Sequence, residues 1–373
     1  MIERLLEKII VDKIGSKKAI IILGARQTGK TTLIKKVLSE YSGETIFLNA
    51  DKPIVQEQLG SASINEFKQL FGSAKLIFID EAQRIKNIGI VLKLIVDELP
   101  KIQLVVTGSS AFELSNSINE PLTGRKYEYR LFPVSWREMV KYINHFEALS
   151  QLQQRIIYGM YPDVITNSGN EKEILLNLTE SYLYKDIIAF QQIRKPEFVQ
   201  KLLQALAFQT GNEVSYNELS NMLQIDRKTI IHYIDLLEKA FVIFRLPSFS
   251  RNLRKELVSK IKIYFYDTGV RNALIGDFRP FNMRTDKGAL WENFFISERK
   301  KANHYNLKYV NSYFWRTHQK QEIDYIEEAD GFINAYEIKW SDSAKYKIPK
   351  IFVDTYPNSN IELITSNNFY QYL

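Results

Sequence analysis

The loop "GARQTGKTT" (24–32) restricts the fold of this chain more than any other stretch. It follows five apolar residues, "AIIIL" (19–23), and contains two glycines, one lysine and three threonines. After the loop, apolar residues recur at the spacing of one helical face: Leu33, Ile34, Val37 and Leu38. A strand, the pattern Gly-x-x-x-x-Gly-Lys-Thr and a helix together predict a phosphate-binding loop.

This loop suits the phosphates of a nucleoside triphosphate. Its glycines let successive backbone N–H groups point at phosphate oxygens, and the start of a helix adds partial positive charge. We expect Lys30 to reach the β- and γ-phosphates and the Thr31 hydroxyl to bind Mg²⁺. The predicted nucleotide contacts are Gly24, Ala25, Arg26, Gln27, Thr28, Gly29, Lys30, Thr31 and Thr32.

A second motif, "KLIFIDEAQR" (75–84), is a continuous apolar run that ends in two acids. Buried parallel strands have this pattern, and acids at their carboxyl ends lie beside the nucleotide. We expect Asp80 to hold Mg²⁺, directly or through water, and Glu81 to deprotonate the attacking water. The alternative interpretation is a helix cap followed by an acid in the first helical turn.

Further strands are predicted at "TIFLNAD" (45–51), "KIQLVVTGSS" (101–110) and "KYEYRLFPVSWRE" (126–138). The second of these strands ends in three residues with hydroxyl groups, Thr107, Ser109 and Ser110. One of these hydroxyls could sense the γ-phosphate, or the residues could simply form a turn. Arg125 stands just before the third strand. It could stabilise the transition-state charge at a neighbouring subunit's nucleotide, which would require an oligomer, or be a solvated surface arginine.

The length and composition of the chain limit the number of domains, the kinds of metal site and the cellular location that we expect. The chain has 373 residues, which predicts two to four domains. It has no cysteine and four histidines, so a metal site must consist mainly of carboxylates, which suit Mg²⁺ or Mn²⁺. No apolar run is long enough to cross a bilayer, and the N-terminus, which carries acids among its apolar residues, is a poor signal peptide. We therefore predict a cytoplasmic protein. The net charge of +7 is compatible with nucleic acid but does not require it.

The order of these motifs resembles the AAA+ and STAND branch of P-loop ATPases. It is similar to a prokaryotic family of predicted ATPases that joins such a domain to a C-terminal domain of the restriction-endonuclease type. The matching residues are "LGARQTGKTTL", "LIFIDEAQ", "VVTGSS" and "PLTGRKYEYRLFPVSWREM", and the resemblance continues through nearly the whole chain. The resemblance implies ATP as the nucleotide; the residues alone do not distinguish ATP from GTP.

The spacing of apolar residues in the middle of the chain predicts helices over about 140–210. In such ATPases, helices at this place usually form a lid over the nucleotide. "YGMYPDVI" (158–165) interrupts the helical pattern. The stretch 214–246 then predicts a winged helix-turn-helix. Its first helix has one apolar face (Leu219, Met222 and Leu223), Asp226 caps the second, and the second has Ile230, Ile234 and Leu237 inward.

The exposed face of that second helix is a candidate nucleic-acid surface. It would present Arg227, Lys228, Thr229, His232 and Tyr233, side chains that suit phosphate and base-edge contacts. Basic residues follow in "RNLRKELVSKIK" (251–262). The alternative is a rigid arm that touches only protein.

The last third predicts a β-hairpin, with "EIDYI" on one strand, "AYEIKW" on the next and "EADG" as the turn. Alternation puts Glu337 and Lys339 on one face, where Asp324 can join them. Such a set can bind Mg²⁺ and position water against a phosphodiester, and Glu292 on an upstream helix could support the metal. The set resembles the PD-(D/E)xK nuclease core, with Ile323 in place of the proline. A hairpin with solvated charges is the alternative.

The predicted fold class is therefore α/β: a P-loop NTPase parallel sheet (1–140), a helical lid (141–210), a winged helix (211–250) and a restriction-endonuclease-like domain (251–373). The predicted function is Mg²⁺-dependent ATP binding and hydrolysis coupled to a DNA-binding, nuclease-like module. Two alternatives stay open: an ATP-controlled switch that grips DNA or protein without cleaving it, and a signalling or assembly ATPase whose winged helix contacts only protein.

Overall fold

A computed structural model describes residues 1–61, 63–109, 114, 118–183, 196–250, 260–317, 319, 321–343, 346 and 348–373. The chain divides into two compact units. The first comprises 1–133 with 239–241, and the second comprises 134–238 with 242–373. The first unit thus ends seven residues before the predicted ATPase boundary at residue 140, and the remaining three predicted domains share one unit.

The first unit is built on a sheet of five parallel strands in the order β2-β3-β4-β1-β5. Every strand predicted for this region is present, and the parallel sheet fits the predicted P-loop NTPase fold. The strands are β1 (Ala19–Leu23), β2 (Thr45–Asn49), β3 (Leu76–Asp80), β4 (Gln103–Gly108) and β5 (Lys126–Arg130).

The three central strands β1, β3 and β4 are buried along their whole length, which explains their continuous apolar sequences. Strand β4 lies between β1 and β3, so the residues that end β4 lie between the phosphate-binding loop and the acids of β3. All five carboxyl ends meet at one edge because the strands are parallel.

Helices flank this sheet. One of them, Ile64–Phe71, begins at a capping box in which Ser63 and Glu66 bond to each other's backbone N–H groups. The helices of the first unit are α1 (Leu5–Val11), α2 (Lys30–Glu40), α3 (Pro53–Gly60), α4 (Ile64–Phe71) and α5 (Ile88–Glu98), with a 3₁₀ turn at Ala82–Arg84.

The second unit opens with the helices that the periodicity predicts. Tyr158 ends one helix, Gly159 takes φ 73° and Pro162 starts the next, so the interruption predicted at 158–165 is confirmed. These helices are α6 (Trp136–Ile143), α7 (His145–Ser150), α8 (Leu152–Tyr158), α9 (Pro162–Thr166), α10 (Glu171–Asn177) and α11 (Pro196–Phe208), with a π-helical turn at Leu178–Leu183. No helix in the described ranges has the length and apolar character needed to span a membrane.

A helix-turn-helix follows, formed by α12 (Tyr216–Leu223) and α13 (Arg227–Lys239). Asp226 accepts a hydrogen bond from the Thr229 N–H at 3.0 Å, as expected of a cap. The predicted core residues of α13 are fully buried. Of the apolar face predicted for α12, Leu219 is buried and Leu223 half-buried, whereas Met222 is 53% exposed.

Three short strands pair around these helices in the order β6-β8-β7: β6 (Glu213–Val214), β7 (Ile243–Pro247) and β8 (Ile261–Phe265). The strands β7 and β8 are antiparallel neighbours. The predicted domain boundary at residue 250 falls between these paired strands, so β8 belongs to this sheet and not to the sheet that follows it in sequence. After β8, Asp267 caps α14 (Thr268–Leu274) by accepting a hydrogen bond from the Val270 N–H.

The C-terminal part has a four-stranded sheet in the order β12-β11-β10-β9. The predicted hairpin is present: β10 (Glu322–Ala329) and β11 (Phe332–Ile338) are antiparallel, with Asp330 and Gly331 at positive φ in the turn. The edge strands were not predicted. They are β9 (Asn311–Arg316), antiparallel to β10, and β12 (Ser359–Ile364), parallel to β11. The remaining elements are α15 (Lys287–Tyr305), α16 (Lys350–Thr355) and 3₁₀ turns at Phe281–Met283 and Phe369–Tyr372.

Candidate functional site: a phosphate-binding loop and a second acidic site

The loop 24–29 connects the end of β1 to the first residue of α2. Gly29 takes φ 92°, a left-handed conformation that favours glycine. Gly24 lies so close to the backbone of β5 that an added Cβ would come within 2.2 Å of the Leu131 carbonyl oxygen. Both glycines of the motif are therefore required by backbone geometry.

Lys30 is buried, with 5% of its surface exposed. Its Nζ donates to the carbonyl oxygens of Gly24 at 2.8 Å and Ala25 at 2.9 Å, which brings the ammonium back over the loop. The Thr28 hydroxyl donates to the Ala25 carbonyl at 2.8 Å and stabilises the same turn. Arg26 is half-buried and Gln27 exposed, whereas Thr32 is exposed on α2, after the loop has ended.

Thr31, Asp80 and Thr107 form one hydrogen-bonded group at the carboxyl edge of the sheet. The Thr31 hydroxyl donates to Oδ2 of Asp80 at 2.7 Å, and the Thr107 hydroxyl donates to Oδ1. Asp80 and Thr107 are buried. Because β4 lies between β1 and β3, its last residues can join the loop to the acids. A hydroxyl beside a carboxylate provides the oxygen ligands that Mg²⁺ prefers.

Glu81 follows Asp80 and takes the left-handed conformation, with φ 53°. Its N–H donates to the Thr107 hydroxyl at 3.3 Å. Its carboxylate accepts a hydrogen bond from Nε2 of Gln83, and the same nitrogen donates to the Ser109 hydroxyl at 3.0 Å. Gln83 thus joins the predicted base to the end of β4. The third hydroxyl considered from the sequence, Ser110, lies outside the described residues.

Sequence reasoning missed Gln83. It stands in the same motif as the two acids, "DEAQR", but an amide side chain two residues after an acid gives no pattern that distinguishes it from a surface residue. Its contacts depend on the 3₁₀ turn at Ala82–Arg84, which folds it back toward Glu81.

Arg125 lies at the other end of the sheet. Ala19 is in register with Lys126 and Leu23 with Arg130, so Arg125 is next to the start of β1 and the loop follows its end. Its Nε bonds to Asp97 at 2.6 Å. Within its own chain Arg125 is therefore not part of the nucleotide site, and the predicted contact with a neighbouring subunit stays a prediction.

The second unit contains the acidic site predicted from the hairpin. Because Tyr325 is in register with Tyr336, Asp324 and Glu337 lie on adjacent strands. Lys339 joins them: its Nζ is 2.6 Å from Glu337 and 3.5 Å from Asp324. Asp324 also accepts the Ile338 N–H at 2.8 Å. The predicted set of three side chains is thus assembled.

Glu292 reaches the same region from α15. Its Oε1 accepts hydrogen bonds from Lys262 at 3.1 Å and from the Tyr264 hydroxyl. Lys262 is 2% exposed and also pairs with Glu322 at 2.6 Å. Lys262 is the last residue of the basic stretch 251–262, which the sequence offered in support of a nucleic-acid surface. As an inward residue of β8 it instead supplies a buried cation to the acidic site.

Burial raises the pKa of Glu292 and of Glu337 to about 7, and the charge of Asp324 adds to both shifts. Oε2 of Glu337 is buried without a hydrogen-bond partner. Within the described part of the chain, no three Asp, Glu or His side chains are arranged to hold a metal ion. Lys339 and Lys262 instead neutralise the acids that were predicted as metal ligands.

The predicted nucleic-acid surface is only partly exposed. Arg227, Lys228 and His232 are exposed, and Thr229 is half-buried and bonded to Asp226. Tyr233 is only 8% exposed, so its predicted place on the exposed face is wrong. It lies three residues after Ile230, and i, i+3 positions share one helix face, here the buried one. Residues 251–259 of the basic stretch lie outside the described residues.

Three family models match consecutive parts of the chain. Residues 16–140 match an AAA domain. Residues 149–280 and 287–372 match two domains of unknown function, DUF8612 and DUF4143. The matches support a P-loop ATPase family. The AAA domain match supports ATP binding and hydrolysis by the first unit, and the other two matches assign no activity to the second unit.

Individual relatives match over most of the chain. An uncharacterized protein of Methanocaldococcus jannaschii is 25% identical over 84% of this chain and 73% of its own length. An uncharacterized protein of Mycobacterium tuberculosis is 28% identical over 86% of this chain and 70% of its own length. Among solved structures, a Walker-type ATPase of Pyrococcus abyssi is similar, with a TM-score of 0.50 and 15% identity over 74% of this chain and 96% of that one. At this identity the likeness concerns the fold.

Proposed function

We propose that the chain is a Mg²⁺-dependent ATPase whose nucleotide state controls the acidic site and the helix-turn-helix of its second unit. The observation that carries the ATPase proposal is the group at the carboxyl edge of the first sheet. There the Thr31 hydroxyl, the Asp80 carboxylate and the Thr107 hydroxyl are bonded to one another beside the phosphate-binding loop. The fold alone would permit many functions, whereas this set of groups has the chemistry of a nucleotide site.

The residues of the loop bind and orient the triphosphate. The N–H groups of residues 24–31 and the Lys30 ammonium neutralise the phosphate oxygens. Thr31 and Asp80 supply oxygen ligands that fit Mg²⁺, which when bound would neutralise charge on the β- and γ-phosphates. We retain all of the predicted contacts from Gly24 to Thr32, and Thr32, which is exposed in the first turn of α2, stays a proposed contact.

Glu81 is the proposed base. It would accept a proton from water as the water oxygen attacks the γ-phosphorus and the bond to the bridging oxygen breaks, giving ADP and phosphate. Gln83 would hold the Glu81 carboxylate relative to Ser109, which would let the end of β4 report whether the γ-phosphate is present.

Glu81→Gln tests this assignment because it keeps the shape and removes the base. We expect ATP turnover to fall by at least about 100-fold while the Kd for Mg²⁺-ATP stays within about threefold. The matched control is Glu57→Gln, an exposed residue of α3 in the same unit. Unchanged turnover in Glu81→Gln would refute the proposed base.

A second candidate function, metal-dependent cleavage of nucleic acid, is favoured by one observation in the second unit. Oε2 of Glu337 is buried without a hydrogen-bond partner, although Asp324 and Lys339 lie beside it. A divalent cation held by Asp324 and Glu337 would satisfy that oxygen, and Lys339 could orient water. Glu292 is the weaker ligand candidate since Lys262 and Tyr264 already bond to its Oε1.

The helix-turn-helix supports a nucleic-acid contact through Arg227, Lys228 and His232. The helices α11, α12 and α13 with a three-stranded antiparallel sheet have the element order of a winged helix. Contacts with phosphate make binding salt-dependent. Replacing both Arg227 and Lys228 by alanine should reduce the salt slope of DNA binding, whereas replacing the exposed Lys201 and Lys308 should not. Salt-independent binding by the natural chain would favour a protein partner.

A further inference from the structure

Arg4 is a buried cation that the phosphate-binding loop and the strand beside it share. It stands just before α1, is 7% exposed, and lies outside the part of the chain that matches the AAA domain. Its Nη1 donates to the carbonyl oxygen of Thr28 at 2.5 Å, and its Nη2 donates to that of Phe132 at 2.7 Å. A buried guanidinium is stable only when it is hydrogen-bonded, and here two of its acceptors are main-chain oxygens.

The contact with Thr28 has a consequence for the next residue. The Thr28 carbonyl and the Gly29 N–H belong to one planar trans peptide, so they point in opposite directions. Arg4 holds the carbonyl on its own side of the loop and thereby directs the Gly29 N–H to the other side. The positive charge also polarises this peptide, which makes the N–H a stronger donor.

The contact with Phe132 fixes Arg4 to the segment that follows β5. The Leu131 N–H donates to the Leu23 carbonyl at 2.7 Å, and the Leu131 carbonyl packs against Gly24. The start of the loop is therefore held by Leu131, and its end is held through Arg4 by the next residue.

We infer that Arg4 is a positioning residue for phosphate binding, acting through the Gly29 N–H without touching the nucleotide. The inference rests on the proposed nucleotide site. It assigns to α1 and the residue before it a part in the site that neither the motif nor the matched domain includes. The ligand class is the phosphate chain of a nucleotide; the base and the sugar play no part in this contact.

The test compares Arg4→Met, Arg4→Lys and Glu7→Gln in the full chain. Lysine keeps the charge but offers one ammonium in place of the planar fork that reaches two carbonyls. Glu7 is the matched control: it lies on α1 and pairs with Lys36 of α2 at 2.7 Å, so its replacement weakens the docking of α1 without touching the loop. Isothermal titration with Mg²⁺-ATP and with Mg²⁺-tripolyphosphate gives the affinities.

We expect Arg4→Met to weaken both ligands by the same factor, roughly ten- to hundredfold. The affinities of Arg4→Lys should lie between those of Arg4→Met and those of the natural chain. The affinities of Glu7→Gln should equal those of the natural chain. Should Arg4→Met fail to fold, Arg4→Lys and Glu7→Gln still decide. Natural affinity in Arg4→Lys, or an equal loss in Glu7→Gln, would overturn the inference. If the natural chain itself binds neither ligand, the proposed nucleotide site fails instead.

Discussion

The Thr31 hydroxyl and the Asp80 carboxylate are joined by a hydrogen bond of 2.7 Å across 49 residues of sequence. One side chain starts a helix and the other ends a strand, and β4 separates the two strands concerned. Their contact brings two separate motifs together and places a hydroxyl oxygen beside a carboxylate, the kinds of oxygen that Mg²⁺ prefers.

Thr31→Val should therefore remove most of the effect of Mg²⁺ on nucleotide binding. Valine has nearly the shape of threonine but lacks the hydroxyl ligand. We expect Mg²⁺-ATP to bind about tenfold more weakly, a loss of about 1.4 kcal/mol in binding free energy. Binding of ATP in the presence of EDTA should change little. Ser39→Ala, which removes an exposed hydroxyl from the same helix, serves as the control. A Thr31→Val protein that still needs Mg²⁺ as the natural chain does would remove Thr31 from the metal site.

Gly24→Ala should damage the nucleotide site because the new Cβ would meet the Leu131 carbonyl oxygen at 2.2 Å. A backbone atom cannot rotate away, so β5 must shift, and overpacking of this kind costs about 1–3 kcal/mol. Urea unfolding measures that loss, with Gly60→Ala as the control, because its nearest neighbour would lie at 3.8 Å. Equal stability of the two variants would contradict the close approach.

The fold of the first unit was largely predictable, since motif order and strand patterns depend on local sequence. Buried parallel strands have continuous apolar runs, and the hairpin at Asp330 and Gly331 has its own turn signal. The edge strand β12 was not predicted. It pairs in parallel with β11, and this pairing depends on tertiary packing and not on the local sequence.

The sites were predictable only in part, for a related reason. Gln83, Arg4 and Lys262 make contacts with residues that are distant in sequence, and none has a distinctive local pattern. Tyr233 shows the opposite error: a residue type that suits nucleic acid lies on the buried face of its helix. Burial of a single side chain depends on which helix face the neighbouring elements cover.

Asp324→Asn should abolish any metal-dependent cleavage of DNA by the second unit. The change removes the charge that lies between the Ile338 N–H and Lys339 but keeps the shape of the side chain. The assay uses Mg²⁺ or Mn²⁺ with ATP, and Asp354→Asn, an exposed residue of α16, is the control. If the natural chain cleaves neither DNA nor RNA under these conditions, the second unit is a binding module.

The raised pKa of Glu337 predicts a pH dependence of stability. Burial, together with the charge of Asp324, raises this pKa to about 7, so the folded chain binds this proton more tightly than the unfolded chain. Stability from this group is present at low pH and is lost as pH rises from about 4.5, the unfolded value, to about 7. Glutamine at this position carries no such proton.

The measurement compares melting temperatures at pH 5 and pH 8 with EDTA present. Between pH 5 and pH 8, the melting temperature of the natural chain should fall more than that of Glu337→Gln. The difference should be at least about 2 °C, the shift that about 1 kcal/mol of unfolding free energy produces in a unit of this size. Glu173→Gln, an exposed residue of the same unit, should behave as the natural chain does. Identical pH profiles for the natural chain and Glu337→Gln would show that folding does not raise the pKa of Glu337.

Calorimetric titration of the natural chain with Mg²⁺-ATP tests the central claim most directly, with Lys30→Ala as the paired variant. Lys30 is the cation of the loop motif, and its Nζ bonds to the Gly24 and Ala25 carbonyls. We predict saturable binding with one site per chain, weakened at least about 100-fold in Lys30→Ala, which corresponds to about 2.7 kcal/mol. The absence of detectable binding to the natural chain, or equal binding to both proteins, would contradict the account.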